Sequence, residues 1–174
     1  MNGEEMKAYV LLARNGDTAA FCKLYEQYYK DMYRFAYYML GNAEDAEDVI
    51  SETVLDAFTG IRGLKKPESF KSWIFKILST KCKQQQAVYA TNREHVKDDA
   101  DTTLLSREDH PYADNLDVRS AFAALNETEK NVISLMVFAG YNSRETAKLL
   151  GSREGTIRSL KSRALGKMSQ YLTE

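Results

Sequence analysis

Between Gly41 and Phe58 stand six carboxylates, Glu44, Asp45, Glu47, Asp48, Glu52 and Asp56, and no base. The next stretch reverses the sign. From Thr59 to Ala90 come seven bases, Arg62, Lys65, Lys66, Lys71, Lys76, Lys81 and Lys83, against Glu68 alone. Clustered carboxylates can hold a cation, relay protons or face a basic partner, and clustered cations bind phosphate. No glycine-punctuated calcium loop surrounds the acids, so a basic partner is the better expectation for them. Separating the signs costs self-repulsion within each patch, which points to two different partners. Two solvated helix faces would account for the charges equally well if nothing else were known.

Other reactive residues form no set. Cys22 and Cys82 lie far apart without a CxxC, and His95 and His110 sit in a polar middle segment. There is no Gly-rich phosphate loop, no plausible Ser/His/Asp or Cys/His group and no metal cluster. The expectation is a protein without catalytic residues, metal or cofactor, with reduced thiols as in the cytoplasm. The N-terminal MNGEEMKAYVLLARNGD is acidic and lacks a signal-peptide core, and no apolar run approaches the roughly 20 residues of a membrane span.

The elements that must carry these charges read as helices. Prolines are two, Pro67 and Pro111, and strand-like alternation is scarce. A short helix is expected from Glu4 to Arg14. A long one follows, capped by Asp17 and closed by Gly41, with Phe21, Leu24, Tyr28, Met32, Phe35 and Met39 on one face. Asn42 caps the acidic helix, whose apolar positions are Ala46, Val49, Ile50, Thr53, Val54, Ala57 and Phe58; Asp45, Asp48 and Glu52 share one face at steps of three and four. TGIRGLKKPE reads as a loop, and Ser69 opens a helix to about Tyr89. On that helix Ser72, Lys76, Ser79, Thr80 and Lys83 form a polar, basic stripe, opposite a face on which Trp73 is core.

The whole-chain charge of -1 hides a segregation: residues 1–90 are neutral, 91–117 carry -5 and 118–174 carry +4. The fold class is therefore read as all-α. A helical domain spans 1–90, an acidic flexible linker 91–116 and a second small helical domain 117–174. In the second, Asn126 with Glu129 and Asn142 with Glu145 have capping-box spacing, and Gly140 and Gly151 end helices. YNSRETAKLLGSREGTIRSLKSRALGKM has the shape of a helix-turn-helix. Ala147, Leu149 and Leu150 face inward, Ser152 caps the second helix, and Ile157, Leu160, Ala164 and Met168 form its buried face. The other face offers Arg153, Thr156, Arg158, Ser159, Lys161, Ser162 and Arg163. Arg and Lys can donate to guanine O6 and N7, and Thr and Ser can contact phosphate.

From Leu125, LNETEKNVISLMVFAGYNSRETAKLLGSREGTIRSLKSRA resembles the domain of bacterial sigma factors that binds the upstream promoter element. The matching positions are Leu125, Leu135, Gly140, Tyr141, Glu145, Ala147, Leu150, Gly151, Gly155, Thr156, Ile157, Arg158, Ser159, Arg163 and Ala164. LuxR-type regulators share much of this pattern. Thr146 replaces a usual Ile, and Leu160-Lys161 stands where Arg-Leu is common. FCKLYEQYYKDMYRFAYYMLGNAEDAEDVISETVLDAFTGI resembles the core-binding domain of the extracytoplasmic-function (group IV) sigma class through Phe21, Leu24, Tyr25, Tyr28, Asp45, Ala46, Glu47, Asp48, Val49, Glu52 and Ala57, with Ser51 for a usual Gln. ESFKSWIFKILSTKCKQQQ continues the likeness through Phe70, Trp73, Ile74, Phe75 and Ile77, with Ser79-Thr80 where Arg-Asn is common.

The resemblance implies a factor that binds core RNA polymerase and confers promoter recognition and transcription initiation at a specific regulon. It implies that Asp45, Glu47, Asp48 and Glu52 dock on the polymerase clamp. Arg62, Lys65, Lys66, Lys76, Thr80 and Lys83 would take the downstream promoter strand, a pocket and cations being what a melted strand needs. Arg153, Thr156, Arg158, Ser159, Lys161, Ser162 and Arg163 would read the upstream element. It also implies an anti-sigma partner. The alternative is a free-standing helix-turn-helix regulator binding duplex DNA without polymerase, which leaves the acidic helix and the basic loop without a task.

Overall fold

The computed structural model describes residues 1–95 and 116–172, and among these every regular element is helical. Most of the acidic linker lies outside the described residues. Helix α1 (Gly3–Arg14) begins at a capping box in which Asn2 accepts from the Glu5 N–H while the Glu5 carboxylate accepts from the Asn2 N–H. Helix α2 (Thr18–Leu40) starts where Asp17 accepts from the Ala20 N–H at 2.9 Å, and ends at Gly41, whose φ of 72° suits glycine. Asn42 then accepts from the Asp45 N–H and opens α3 (Ala43–Gly60).

The expected loop after α3 is two single 3-10 turns, Ile61–Gly63 and Pro67–Ser69. Buried Ile61 and Leu64 pin it to the bundle, which is why it has a defined path. Ser69 belongs to the second turn, so α4 starts one residue later than expected and runs on to His95, past the expected end at Tyr89 (Phe70–His95). Gln, Ala and Arg beyond Tyr89 favour the helix, and neither Gly nor Pro stops it.

Helices α1 to α4 pack around one aromatic and aliphatic core. Leu24, Met32, Tyr33 and Phe35 of α2, Ala46 and Ala57 of α3, and Phe70, Ile74, Phe75 and Leu78 of α4 are fully buried. Burying each large side chain contributes about 1.5–3 kcal/mol before chain entropy opposes it. Thr53, buried in α3, donates its hydroxyl to the Val49 carbonyl, so its polar atom is satisfied inside the helix.

The second block comprises α5 (Leu116–Ala123), α6 (Glu127–Val137), α7 (Ser143–Leu150) and α8 (Glu154–Leu172). Both expected capping boxes form, at Asn126 with Glu129 and at Asn142 with Glu145. Gly140 and Gly151 adopt left-handed φ of 73° and 62°. Ser152 does not cap α8: its N–H closes α7 by donating to the Ala147 carbonyl, and α8 starts two residues on. Glu129, only 3% exposed, also accepts both bonds of the Lys167 ammonium at 2.8 Å, tying α6 to α8.

Candidate functional site

Six acids of α3 divide by the neighbour each one meets. On the flank toward α4, Asp45 accepts from the Tyr89 hydroxyl and from Gln85 Nε2. Farther along, Glu52 and Asp56 share the ammonium of Lys81 at 3.3 and 2.9 Å. Hydrogen bonds from these two carboxylates, Asp56 first, raise the Lys81 pKa above its ordinary value. Burial, reinforced by the Asp45 carboxylate, raises the Tyr89 phenol. On the flank toward α2, Glu47 accepts from the Tyr29 hydroxyl at 3.3 Å, and burial with Glu47 beside it pushes that phenol up to about 12.

The face expected for Asp45, Asp48 and Glu52 is therefore split. Asp45 and Glu52 are drawn against α4, and Asp48 stands on the outer stripe with Glu44, Ser51 and Leu55, all exposed. Leu55 is 66% exposed, the most of any large apolar side chain described, and Phe58 follows, edge-on to Phe21 at 5.2 Å between centroids. Leu55 escaped the sequence reading. Its signal was available, since positions 44, 48, 51 and 55 recur at helical spacing opposite Ala46, Ile50, Thr53 and Ala57.

Arg62, Lys65 and Lys66 are all exposed on the loop between α3 and α4, between the anchors Ile61 and Leu64 and the proline turn. The lack of a side chain at Gly60 admits the Trp73 ring, which would lie 3.4 Å from a Cβ there. Trp73 is half-buried on this side, beside Phe70. Along α4, Ser72, Lys76, Thr80 and Lys83 form an exposed stripe. Ser79 does not belong to it. It is 2% exposed, because it falls with Phe75, Leu78 and Cys82 on the face toward the bundle. Burial there also pushes the Cys82 thiol up to about 12, leaving it an inert thiol.

In the second block, α7, Gly151 and α8 make the helix-turn-helix, with Val132, Ala147 and Ile157 buried between its helices. Arg153, Thr156, Arg158, Ser159, Ser162 and Arg163 are exposed and Lys161 is half-buried, so the expected DNA face exists as a surface. Two of its members are held locally. Arg158 pairs with Glu154, and the Ser159 hydroxyl donates to the Gly155 carbonyl. Glu154 also attracts Arg144 of α7 at 3.8 Å, bridging the two helices of the motif. Among the described residues, no group of three or more His, Cys, Asp or Glu could hold a metal ion, and no helix is long and apolar enough to cross a membrane.

The descriptions of two families match the chain in sequence order: Sigma-70 region 2 over residues 24–87, and Sigma-70 region 4 over residues 121–170. Together they cover about two thirds of its length. The chain belongs to the sigma-70 family. The region 2 match takes in the acidic helix, the basic loop and the α4 stripe, and the region 4 match takes in the helix-turn-helix. The RNA polymerase sigma factor SigV of Bacillus subtilis is 28% identical over 83% of this sigma factor and 86% of its own length. The ECF RNA polymerase sigma factor BldN of Streptomyces coelicolor is 29% identical over 97% of this chain and 66% of BldN. Two solved structures share the fold. They are CnrH in complex with the cytosolic domain of CnrY (TM-score 0.69, 21% identity, 97% of both chains) and RpoE in complex with the anti-sigma factor NepR from Bartonella quintana (TM-score 0.72, 20% identity, 87% of this chain and 96% of that one).

Proposed function

We propose that this sigma factor docks on core RNA polymerase through the outer stripe of α3 and delivers two DNA-reading surfaces to a promoter. In the docking face Asp48 supplies the negative charge and Leu55 an apolar anchor. Asp45, Glu47 and Glu52 flank it, each held in place by a neighbour. An apolar centre rimmed by charge is the usual anatomy of an interface whose charges set register and on-rate. Arg62, Lys65, Lys66, Lys76, Thr80 and Lys83 take the downstream strand. Arg153, Thr156, Arg158, Ser159, Lys161, Ser162 and Arg163 take the upstream duplex.

The observation that carries this reading is the order of the two family matches on one chain, each falling on a surface of the sign its task needs. The chain works without chemistry of its own: nucleotide addition belongs to the polymerase, so its place is the cytoplasm. An anti-sigma factor is a further partner, by analogy with the relatives solved in such complexes. The test is transcription in vitro of a pool of fragments from the source genome by core polymerase with and without the chain, sequencing the 5′ ends. A recurring upstream motif that appears only with the chain supports the reading. Start sites that are the same in both reactions contradict it.

A further inference from the structure

The two blocks meet at a joint of aromatic rings. Tyr38, near the end of α2, stacks on Phe122 of α5 at 4.4 Å between centroids, and on Phe138, just past α6, at 5.5 Å with the planes 6° apart. Beside it, the Arg119 guanidinium lies over the Tyr37 ring at 5.5 Å. All five side chains are buried. At the other end of the joint, the Tyr141 hydroxyl donates to the Ser72 carbonyl. There the Lys71 ammonium comes so close to Gly140 that a Cβ would lie 3.3 Å from it.

Rings this buried ordinarily mark the inside of one domain. Here Tyr38 falls in the region 2 match, and Phe122 and Phe138 fall in the region 4 match. The faces are not filled to interior density. A cavity of about 60 Å³ remains between them, bounded by Tyr37, Tyr38, Arg119 and Phe122 among others. Such a joint holds, but it can part without breaking either core.

The place of the second contact matters for the DNA surface. Ser72 lies one turn before Lys76 on the exposed stripe of Ser72, Lys76, Thr80 and Lys83, and just after the loop that carries Arg62, Lys65 and Lys66. A strand passing from the loop cations to the α4 stripe must cross Ser72, and in the closed chain it meets Tyr141 there. We infer that the Tyr38 joint is a clasp: it holds the free chain closed, with the Gly140–Tyr141 corner on the first turn of α4. The strand-binding surface becomes continuous only when the clasp opens. This rests on the reading of the loop and stripe as the downstream-strand surface. The clasp is mainly aromatic, so salt does not open it, and a partner that gains contacts with the separated blocks does. Closure lowers the apparent affinity for a strand by the fraction of molecules that stand open.

The test uses the full chain as wild type, as the double variant Phe122→Ala/Phe138→Ala and as Tyr141→Phe. Small-angle scattering reads the separation of the blocks, and binding of a labelled 20-nucleotide oligo-dT reads the strand surface. Circular dichroism and the emission of Trp73, the single tryptophan, check that helices and first block stay intact. The expected result is a larger radius of gyration for the double variant, with oligo-dT binding tightened about tenfold, or about 1.4 kcal/mol, and a smaller shift the same way for Tyr141→Phe. An unchanged radius in folded variants overturns the clasp. A larger radius with unchanged binding overturns the occlusion. Adding Lys65→Glu/Lys66→Glu to the open variant separates the two claims: if binding does not fall, the strand-surface reading has failed rather than the clasp. Should the double variant lose helicity, Arg119→Gln and Tyr141→Phe, each removing one polar contact, decide by the same two readings.

Discussion

Helices α3 and α8 are nearly equal in length, 18 and 19 residues, and carry charge of opposite sign, yet they use it differently. On α3 most of the acids are engaged by neighbours: Asp45 by Tyr89 and Gln85, Glu47 by Tyr29, and Glu52 and Asp56 by Lys81. On α8 Arg153, Arg163 and Ser162 stand exposed along one face, with Arg158 drawn to Glu154. Acidity in α3 thus partly builds the bundle, and only the stripe through Asp48 and Leu55 is turned outward. Basicity in α8 is mostly available to a partner. The difference fits the partners proposed for each: a folded protein surface needs a few fixed contacts, whereas duplex DNA needs many cations over an extended backbone.

Breaking the outer stripe should have the largest effect. Asp48→Lys is expected to weaken association with core polymerase about 100-fold, as reversing a docking charge costs a few kcal/mol, with an unchanged melting temperature. Asp45→Lys should also lower the melting temperature, because it removes the acceptor of Tyr89 and Gln85. An isothermal titration alongside a thermal melt separates these two outcomes.

The next effect concerns the one α6 acid that builds rather than binds. Glu129→Gln removes the charge that meets Lys167. Lys167 is about half exposed, which screens the pair, so the cost is about 2 kcal/mol. The bond from Lys167, with the Asn126 N–H beside it, holds the Glu129 carboxyl below its ordinary 4.5. Its stabilisation is therefore complete above the ordinary carboxylate range and is lost as pH falls through the lowered value. Denaturant unfolding from roughly pH 6 to 3 should show the wild type and Glu129→Gln converging at the acid end. A constant gap would mean the carboxylate is not the stabilising form.

On α8, Arg163→Glu should weaken duplex DNA binding by about tenfold and reduce the slope of log K against log salt by about one. Arg158→Glu should do less in free DNA binding, because Glu154 already engages that guanidinium. The smallest change is expected from Lys81→Met. It releases Glu52 and Asp56, leaves the melting temperature within a few degrees, and speeds association with polymerase at low salt. Slower association would show that Lys81 itself belongs to the docking face.

Much of this was legible in the residues. Asp17, Gly41, Asn42 and the capping boxes at Asn126 and Asn142 mark helix ends by local chemistry, which a sequence carries in full. The surfaces at the loop and on α8 were legible because exposed charge at helical spacing needs no tertiary information. What escaped depends on contacts between distant positions. Tyr89 reaches Asp45 across 44 residues, and Lys81 sits between Glu52 and Asp56 only once α3 and α4 pack. Ser79 is buried because α4 turns that flank toward the bundle, and a serine is short enough to be taken there. Ser152 looked like a cap because its type suits one, but the Ala147 carbonyl claims its N–H first. The aromatic joint could not be read at all, since Tyr38, Phe122 and Phe138 each fit the core of its own block.

The central claim is that this chain is a polymerase-binding factor whose docking face is the outer stripe of α3. It is tested most directly by mixing the purified chain with bacterial core RNA polymerase and measuring co-elution by size exclusion, for wild type and Asp48→Lys in parallel. A stoichiometric complex with the wild type that is lost with Asp48→Lys is the predicted result. A complex that survives the reversal would move the docking face elsewhere, and no complex at all, where a known sigma factor binds, would contradict the account.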